Sequence, residues 1–257
     1  MFAEERLLLI VEIVNQMGKV TVGELSERLD VSSVTIRRDL ERLEEKELLV
    51  RTHGGAMSAI NQLSKVAHEQ SFSEKEDTFV TEKERIAEAA SKLVDDEEAI
   101  LLTPGTTNMF LARKLMGKKD LTIVTNAVNI AIHVGGQPGI EMILIGGKMR
   151  PKSFALVGPL ADQALGSIRV DKLFLGVDGF DIQEGMTTLN LSEASINRQM
   201  IAIAKKIIVV ADHSKFGRVM FSHIANLEVV HTVISDTLLP ESIAKQIRDR
   251  GIELIIC

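Results

Sequence analysis

Residues 20–57 read VTVGELSERLDVSSVTIRRDLERLEEKELLVRTHGGAM, and their pattern decides the fold of the N-terminal part of the chain. Thr21 with Glu24 three residues on is a capping-box pattern, which predicts a helix that ends at Asp30. Ser32 is placed to cap a further helix from about Ser33 to Glu47, on which Ile36, Leu40 and Leu43 fall along one stripe. Leu48–Arg51 has strand character, and His53-Gly54-Gly55-Ala56 is a turn before a return strand. Upstream, AEERLLLIVEIVNQM (3–17) places Leu7, Ile10, Val11 and Val14 at helical spacing, with Gly18 as its stop. Three helices and a hairpin within residues 1–57 predict a winged helix-turn-helix.

The third helix carries the chemistry. Opposite its apolar stripe lie Val34, Arg38, Glu41 and Arg42, with Arg37 on the flank. Ser33, Val34, Thr35, Arg37 and Arg38 occupy its first turns, the part that enters the major groove in this motif. Arginine suits bidentate contact with guanine, and Thr or Val can touch a thymine methyl. Arg51 and His53 on the wing are placed for phosphates or an adjacent minor groove. Asp39 beside the apolar stripe suits an ion pair with a neighbouring helix. Charge balance points the other way: residues 1–60 hold eight Lys/Arg against eleven Asp/Glu, so the DNA reading rests on where the charges sit.

The quoted segment closely resembles the N-terminal signature of the DeoR family of bacterial regulators. The combination of S-x-x-T-I-R-R-D-L, the L-E-x-x-x-L-L continuation and the terminal H-G-G-A carries the likeness. The resemblance implies double-stranded operator DNA as partner. A homodimer or homotetramer is expected, because one short recognition helix covers too few base pairs and two-fold proteins read paired half-sites.

Residues 58–80 are polar without a clear period and read as a linker. Over 81–257, apolar runs alternate with helical stretches: Ala99–Thr103, Leu121–Thr125, Glu141–Ile145, Lys172–Val177, Lys206–Ala211, Val229–Ser235 and Ile252–Ile256. Continuous apolar strands separated by helices predict a mostly parallel, Rossmann-like α/β sheet covered on both faces. Ligands of such sheets bind beyond the carboxyl ends of the strands. There the chain places Gly105-Thr106-Thr107, which opens a helix and suits an anion. Asn126, Gly146, Gly147, Asp178, Asp181 and Lys215 follow other strands.

The region from about Ser73 to Ile255 resembles the DeoR-type sensor domain, through PGTT, VTNAVNIA, LIGGKMR, ALVGPLA, DKLFLGVDGFD, GMTT, SEASINRQMI and ADHSKFG. That domain is similar to ribose-5-phosphate isomerase. The resemblance implies a phosphorylated sugar effector, with its phosphate on the Gly105–Thr107 turn and Lys215, and its hydroxyls on Asp178, Asp181 and Glu193. Two positions depart from the family pattern: Thr103 stands where Asp is common, and Asn197 where Lys is frequent.

Composition bounds the alternatives. The chain has 257 residues, a net charge of −6, a single cysteine (Cys257) and neither Trp nor Tyr. No apolar run approaches the roughly 18 residues of a membrane span, and residues 1–6 lack a basic leader, so a cytoplasmic protein is expected. The rival function is a sugar-phosphate isomerase fused to a DNA-binding head, using Asp178, Asp181, Glu193 and Lys215 for proton transfer. Against it, only Gly185-Met186-Thr187-Thr188 stands where an isomerase has a glycine-rich loop before a catalytic Glu, so a regulator without enzymatic activity is expected. His213, His223 and His231 match no standard zinc spacing, so neither metal nor cofactor is expected.

Overall fold

The computed structural model describes residues 3–17, 19–45, 49–52, 54–58 and 69–257. The chain divides into two compact units, Met1–Glu69 and Gln70–Cys257.

The first unit contains α1 (Ala3–Met17), β1 (Lys19–Thr21), α2 (Val22–Leu29), α3 (Ser33–Glu45), β2 (Leu49–Thr52) and β3 (Gly55–Ser58). The Thr21 hydroxyl accepts from the Glu24 N–H (3.2 Å), and the Glu24 carboxylate accepts from the Thr21 N–H (2.7 Å), forming the expected capping box. Asp30 ends α2 in a left-handed conformation, φ 50°. Ser32 Oγ accepts from the Thr35 N–H at the start of α3. Ile36, Leu40 and Leu43 pack with Ile10 and Val14 of α1, Leu25 of α2 and Ala56 of β3. Asp39 meets Arg6 of α1 through two hydrogen bonds, 2.6 and 3.3 Å. Gly18 and His53 lie outside the described residues.

The wing has one strand more than expected, with order β1–β3–β2. Strand β1 spans only three residues, too few for alternation to show. Its close approach explains Gly55, which pairs with Thr21: a Cβ on Gly55 would sit 1.9 Å from the Val20 carbonyl oxygen.

The second unit is built on a seven-stranded sheet. Its strands are β4 (Ala99–Leu102), β5 (Leu121–Thr125), β6 (Ile140–Leu144), β9 (Val170–Leu175), β12 (Ala204–Val210), β14 (Thr232–Ser235) and β15 (Glu253–Ile256), in the order β15-β14-β12-β9-β4-β5-β6. Every neighbouring pair is parallel. Successive side chains point to opposite faces of a strand, and here both faces are buried. Leu101, Leu173, Leu175 and Val209 pack on one side with α8 (Pro159–Leu165), α9 (Leu191–Ile203) and α10 (Glu241–Asp249). Ile100, Leu102, Phe174 and Ile208 pack on the other with α5 (Val80–Ser91), α6 (Thr106–Lys114) and α7 (Val128–Val134). All seven expected strands are present.

Three features depart from expectation. Two small antiparallel sheets decorate the core: β7 (Lys148–Arg150) with β8 (Ala155–Val157), and β10 (Gly179–Asp181) with β11 (Gly185–Thr188) and β13 (Ser222–Ala225). Their three- and four-residue strands are too short to announce themselves. The stretch 58–80 is not linker throughout: Ser71 and Glu74 form a second capping box, which starts α4 (Phe72–Glu76). The amphipathic run Leu191–Lys205 is not helical to its end: α9 stops at Ile203, and the next residues open β12.

The Gly55 contact is rigid backbone against rigid backbone. Gly55→Ala is expected to destabilise the first unit by about 1–3 kcal/mol, as overpacking does. Gly54→Ala, with open space around it, serves as the control. Thermal unfolding of the two variants checks this.

Candidate functional site

In the first unit, the core stripe of α3 turns its opposite face outward. Ser33, Val34, Arg37, Arg38, Glu41 and Arg42 are exposed, Val34 at 60%, and Thr35 is half-buried. An exposed valine flanked by arginines on a helix fastened by buried Ile36 and Leu40 is the arrangement major-groove reading requires. The Thr35 hydroxyl shares a hydrogen bond with Ser32 (2.9 Å), so what this residue can offer a base is its methyl group. Arg51 is not held ready on the wing: its guanidinium pairs with Glu41 (3.0 Å), and its N–H donates to Glu44. The pair is solvated and cheap to exchange for a phosphate.

In the second unit, the strand order places β4 beside β9, although the chain leaves them on opposite faces. Helix α6 follows β4 onto one face, and α9 lies on the other. This is the switch point where an open α/β sheet leaves a crevice. The turn 103–105 on one side and Gly176–Asp178 on the other border it. A Cβ on Gly176 would stand 3.5 Å from the Pro104 carbonyl oxygen. Asn108, 1% exposed, binds the two together: its amide donates to the carbonyls of Thr103 and Phe174, both at 2.9 Å. Thr103 accepts from the Gly176 N–H (2.9 Å). The departure at Thr103 therefore falls on the seam itself, where a neutral hydroxyl sits in a fully packed position.

Gly105 takes φ 146°, has open space where a Cβ would be, and precedes α6 without a side-chain cap. The first amides of α6, with Thr106 and Thr107 beside them, thus have no intrahelical acceptor. Opposite, the Asp178 carboxylate accepts from Lys75 Nζ of α4 and from the Thr188 hydroxyl, both at 2.8 Å. Burial pushes the Asp178 carboxyl up, but Lys75, the Thr188 hydroxyl and the Lys215 charge outweigh it and hold it below its usual range. Lys215 is half-buried, and its ammonium has no hydrogen bond or ion pair among the described residues. Burial pushes its ammonium down; Asp212 and Asp178 oppose that, while Lys75 and Arg218 add to it.

The other expected residues have these surroundings. Asp181 Oδ1 accepts from the N–H groups of Gln183 and Glu184, capping the β10–β11 turn. Glu193 pairs with Arg150 and accepts from the Ser153 hydroxyl (2.6 Å). Gly147, φ 150°, is demanded by packing, since a Cβ there would lie 2.8 Å from the Val157 carbonyl oxygen. Gly146 stands in open space at the end of the β6 loop. Asn126 is fully buried, and its amide donates to the Leu156 carbonyl (2.8 Å). Asn197 is buried on α9. The three histidines are each engaged locally: His213 with Asp236 (3.0 Å), His223 with Asn226, and His231 with the Ile207 N–H.

Sequence reading missed Lys75 and Lys83. The Ser71–Glu74 capping box was the available signal for the helix that carries Lys75. Lys83 is 3% exposed, and its ammonium donates to the carbonyls of Lys75 (2.5 Å) and Thr78 (2.6 Å). Burial lowers its pKa to about 8 against the attraction of Asp212, with Lys215 and Lys75 pushing the same way as burial. No helix among the described residues is long and apolar enough to cross a membrane.

Comparison with known proteins agrees with both halves. The DeoR-like helix-turn-helix domain family matches residues 6–62, and the DeoR C terminal sensor domain family matches residues 78–237. The uncharacterized HTH-type transcriptional regulator YulB of Bacillus subtilis is 39% identical, over 99% of this chain and 96% of its own. The putative aga operon transcriptional repressor of Escherichia coli O157:H7 is 35% identical, over 98% and 93%. The glycerol-3-phosphate regulon repressor of Escherichia coli K12 is 31% identical, over 96% of each. Among solved structures, ribose 5-phosphate isomerase from Plasmodium falciparum is similar over 52% of each chain, at 15% identity and a TM-score of 0.38.

Lys83 generates a test. Between pH 8 and the ordinary lysine value of about 10.4, the unfolded chain binds a proton that the folded chain has lost, so stability from this group rises with pH across that window. Lys83→Met lacks the effect. The stability of the wild type relative to the variant is expected to grow from pH 8 to 10, by at most about 1.4 kcal/mol per pH unit. Urea titrations at several pH values check this.

Proposed function

The chain belongs to the DeoR family of transcriptional regulators, and from that membership we propose that it is a repressor of sugar-metabolism genes, released from its operator by a phosphorylated sugar. The observation that carries the effector reading is the crevice between β4 and β9. An uncapped helix start lies at one border of it, and Asp178 at the other feels the charge of Lys215, a half-buried lysine whose ammonium has no hydrogen bond or ion pair among the described residues. That pairing suits a phosphate: backbone amides and Thr106 and Thr107 on one side, the Lys215 charge on the other. Asp178 is placed to accept a hydroxyl of the sugar. Asn126 and Gly146 lie at the ends of neighbouring strands and complete the rim. Asp181 and Glu193 are occupied by the hairpin turn and by Arg150, which favours a sensor over an isomerase with two working carboxylates. The protein acts in the cytoplasm as a dimer or tetramer, because one short helix reads too few base pairs for selectivity.

The DNA half is tested on a duplex selected by the wild-type protein from random sequence. Arg38→Ala is expected to lose about 1–3 kcal/mol of binding and to relax preference at one base position. Unchanged affinity and preference in a mobility-shift assay would remove α3 from the groove. The effector half is tested by titrating DNA release with phosphorylated sugars and their free-sugar counterparts. Only the phosphorylated forms are expected to act, and Lys215→Ala is expected to weaken them about tenfold or more, as loss of a charge-assisted contact does. Equal potency of the two forms would make Gly105–Thr107 an ordinary turn.

A further inference from the structure

The segment that opens the second unit is a strap across the loops that border the crevice. Phe72 packs edge-on against Phe154 at the tip of the β7–β8 hairpin, ring centroids 5.7 Å apart, and its N–H donates to the Lys152 carbonyl (2.7 Å). Lys75 reaches Asp178 beyond β9 at 2.8 Å. Phe79, at φ 52°, sets its ring edge-on to His213 beyond β12, centroids 4.8 Å apart. Eight residues thus touch the loops after three different parts of the sheet. In sequence, the strap follows directly on Glu69, where the first unit ends.

We propose that Lys75 is the group through which the crevice reports its occupancy. With no ligand bound, Asp178 holds it. An anion at the Gly105–Thr107 turn draws it away, and the strap Ser71–Phe79 shifts with it, carrying the signal into the chain that leads to the DNA-binding unit. This rests on the reading of the crevice as an anion-binding sensor.

Three observations single out Lys75. Its side chain and that of Asp178 are 26% and 19% exposed, so the pair is partly solvated and can change partners. Lys83 cannot take this part, because its amine is tied to the Lys75 and Thr78 carbonyls and supports the strap from beneath. Lys215 comes from a loop fixed elsewhere: Asp212 accepts from the Ser214 N–H, and Asp236 accepts from the His213 N–H (2.7 Å). The exchange replaces one ion pair with another. Asp178, left with the Thr188 hydroxyl, becomes available to a hydroxyl of the ligand. A ligand moves such an equilibrium only through differential contacts, and here both ends of the latch supply them.

The test uses the full chain, amide hydrogen exchange over residues 70–80, and three probes: inorganic phosphate, glycerol 3-phosphate and ribose 5-phosphate. Without any probe, Asp178→Asn and Lys75→Gln are each expected to speed exchange of the strap about tenfold, because either change opens the latch. Arg113→Gln, which removes the exposed pair with Glu76 (3.1 Å) and the guanidinium over the Phe110 ring but leaves Lys75–Asp178 intact, is expected to leave it near wild type. In the wild type, a saturating probe is expected to produce the fast exchange by itself. Lys75→Gln is expected to bind that probe about tenfold more weakly and to show no further change in the strap. Wild-type exchange in Asp178→Asn, or equal probe affinity in wild type and Lys75→Gln, overturns the inference. So does a probe that raises the thermal midpoint but leaves the strap unmoved, although the crevice reading survives that result. If no probe raises the midpoint of the wild type, the crevice reading falls, and this inference with it.

Discussion

The second unit depends on a parting of the chain. Strands β4 and β9 are neighbours in a parallel sheet, yet the helices that follow them go to opposite faces. No backbone can fill the gap this leaves beyond their carboxyl ends. The two ends are instead joined by one buried side chain, the Asn108 amide, which reaches the carbonyls of both Thr103 and Phe174. A buried polar group without its partner costs about 1–3 kcal/mol, so a seam made this way is specific as well as strong. Asn108 thus ties the two strand ends together from within the buried core. Gly105 and Gly176 lie at these two strand ends, Gly105 in a positive-φ conformation that favours glycine.

The charges around that gap have a common cause. Lys83 feels Asp212, Lys215 and Lys75; Lys215 feels Asp212, Lys75 and Asp178; and Asp178 feels Lys75 and Lys215. Desolvation works against Lys83, Lys215 and Asp178, and each answers it differently. Asp178 takes an ammonium and a hydroxyl. Lys83 takes two carbonyls and a lowered pKa. Asp212 takes the N–H and hydroxyl of Ser214. Lys215 alone of these lacks a hydrogen-bonded partner among the described residues. An imbalance of this kind in a packed region marks a ligand position more sharply than the sign of the net charge, which is negative for the chain as a whole.

In the first unit, orientation matters more than charge. Residues 1–60 are net acidic, but α3 is clamped by its apolar stripe on one side and by Arg6–Asp39 at its flank. The acid that would have repelled phosphates is thereby committed to α1. Arg37, Arg38 and Arg42 then face outward by helical geometry, so a basic surface arises from an acidic sequence.

Much of this was legible in the residues because it is periodic or capped. The 3.6-residue stripe of Ile36, Leu40 and Leu43, the Thr21–Glu24 box, and the apolar runs of the seven sheet strands are local patterns, and the structure has each of them. What escaped was short or distant. Strand β1 and the two small antiparallel sheets are too brief to show alternation, and the role of Gly55 depends on a strand more than thirty positions away. Asp181 and Glu193 look like binding carboxylates in sequence, because sequence does not show that a turn and Arg150 already claim them. Lys75 and Asp178 are 103 residues apart, and Asn108 and Phe174 are 66. By itself the sequence determined the two folds, the outward face of α3 and the turn at Gly105, since these follow from local spacing and backbone chemistry. The tertiary structure alone decided which charges are paired, which is desolvated without a partner, and which segment lies across the crevice, because those properties belong to contacts between residues that the chain keeps far apart.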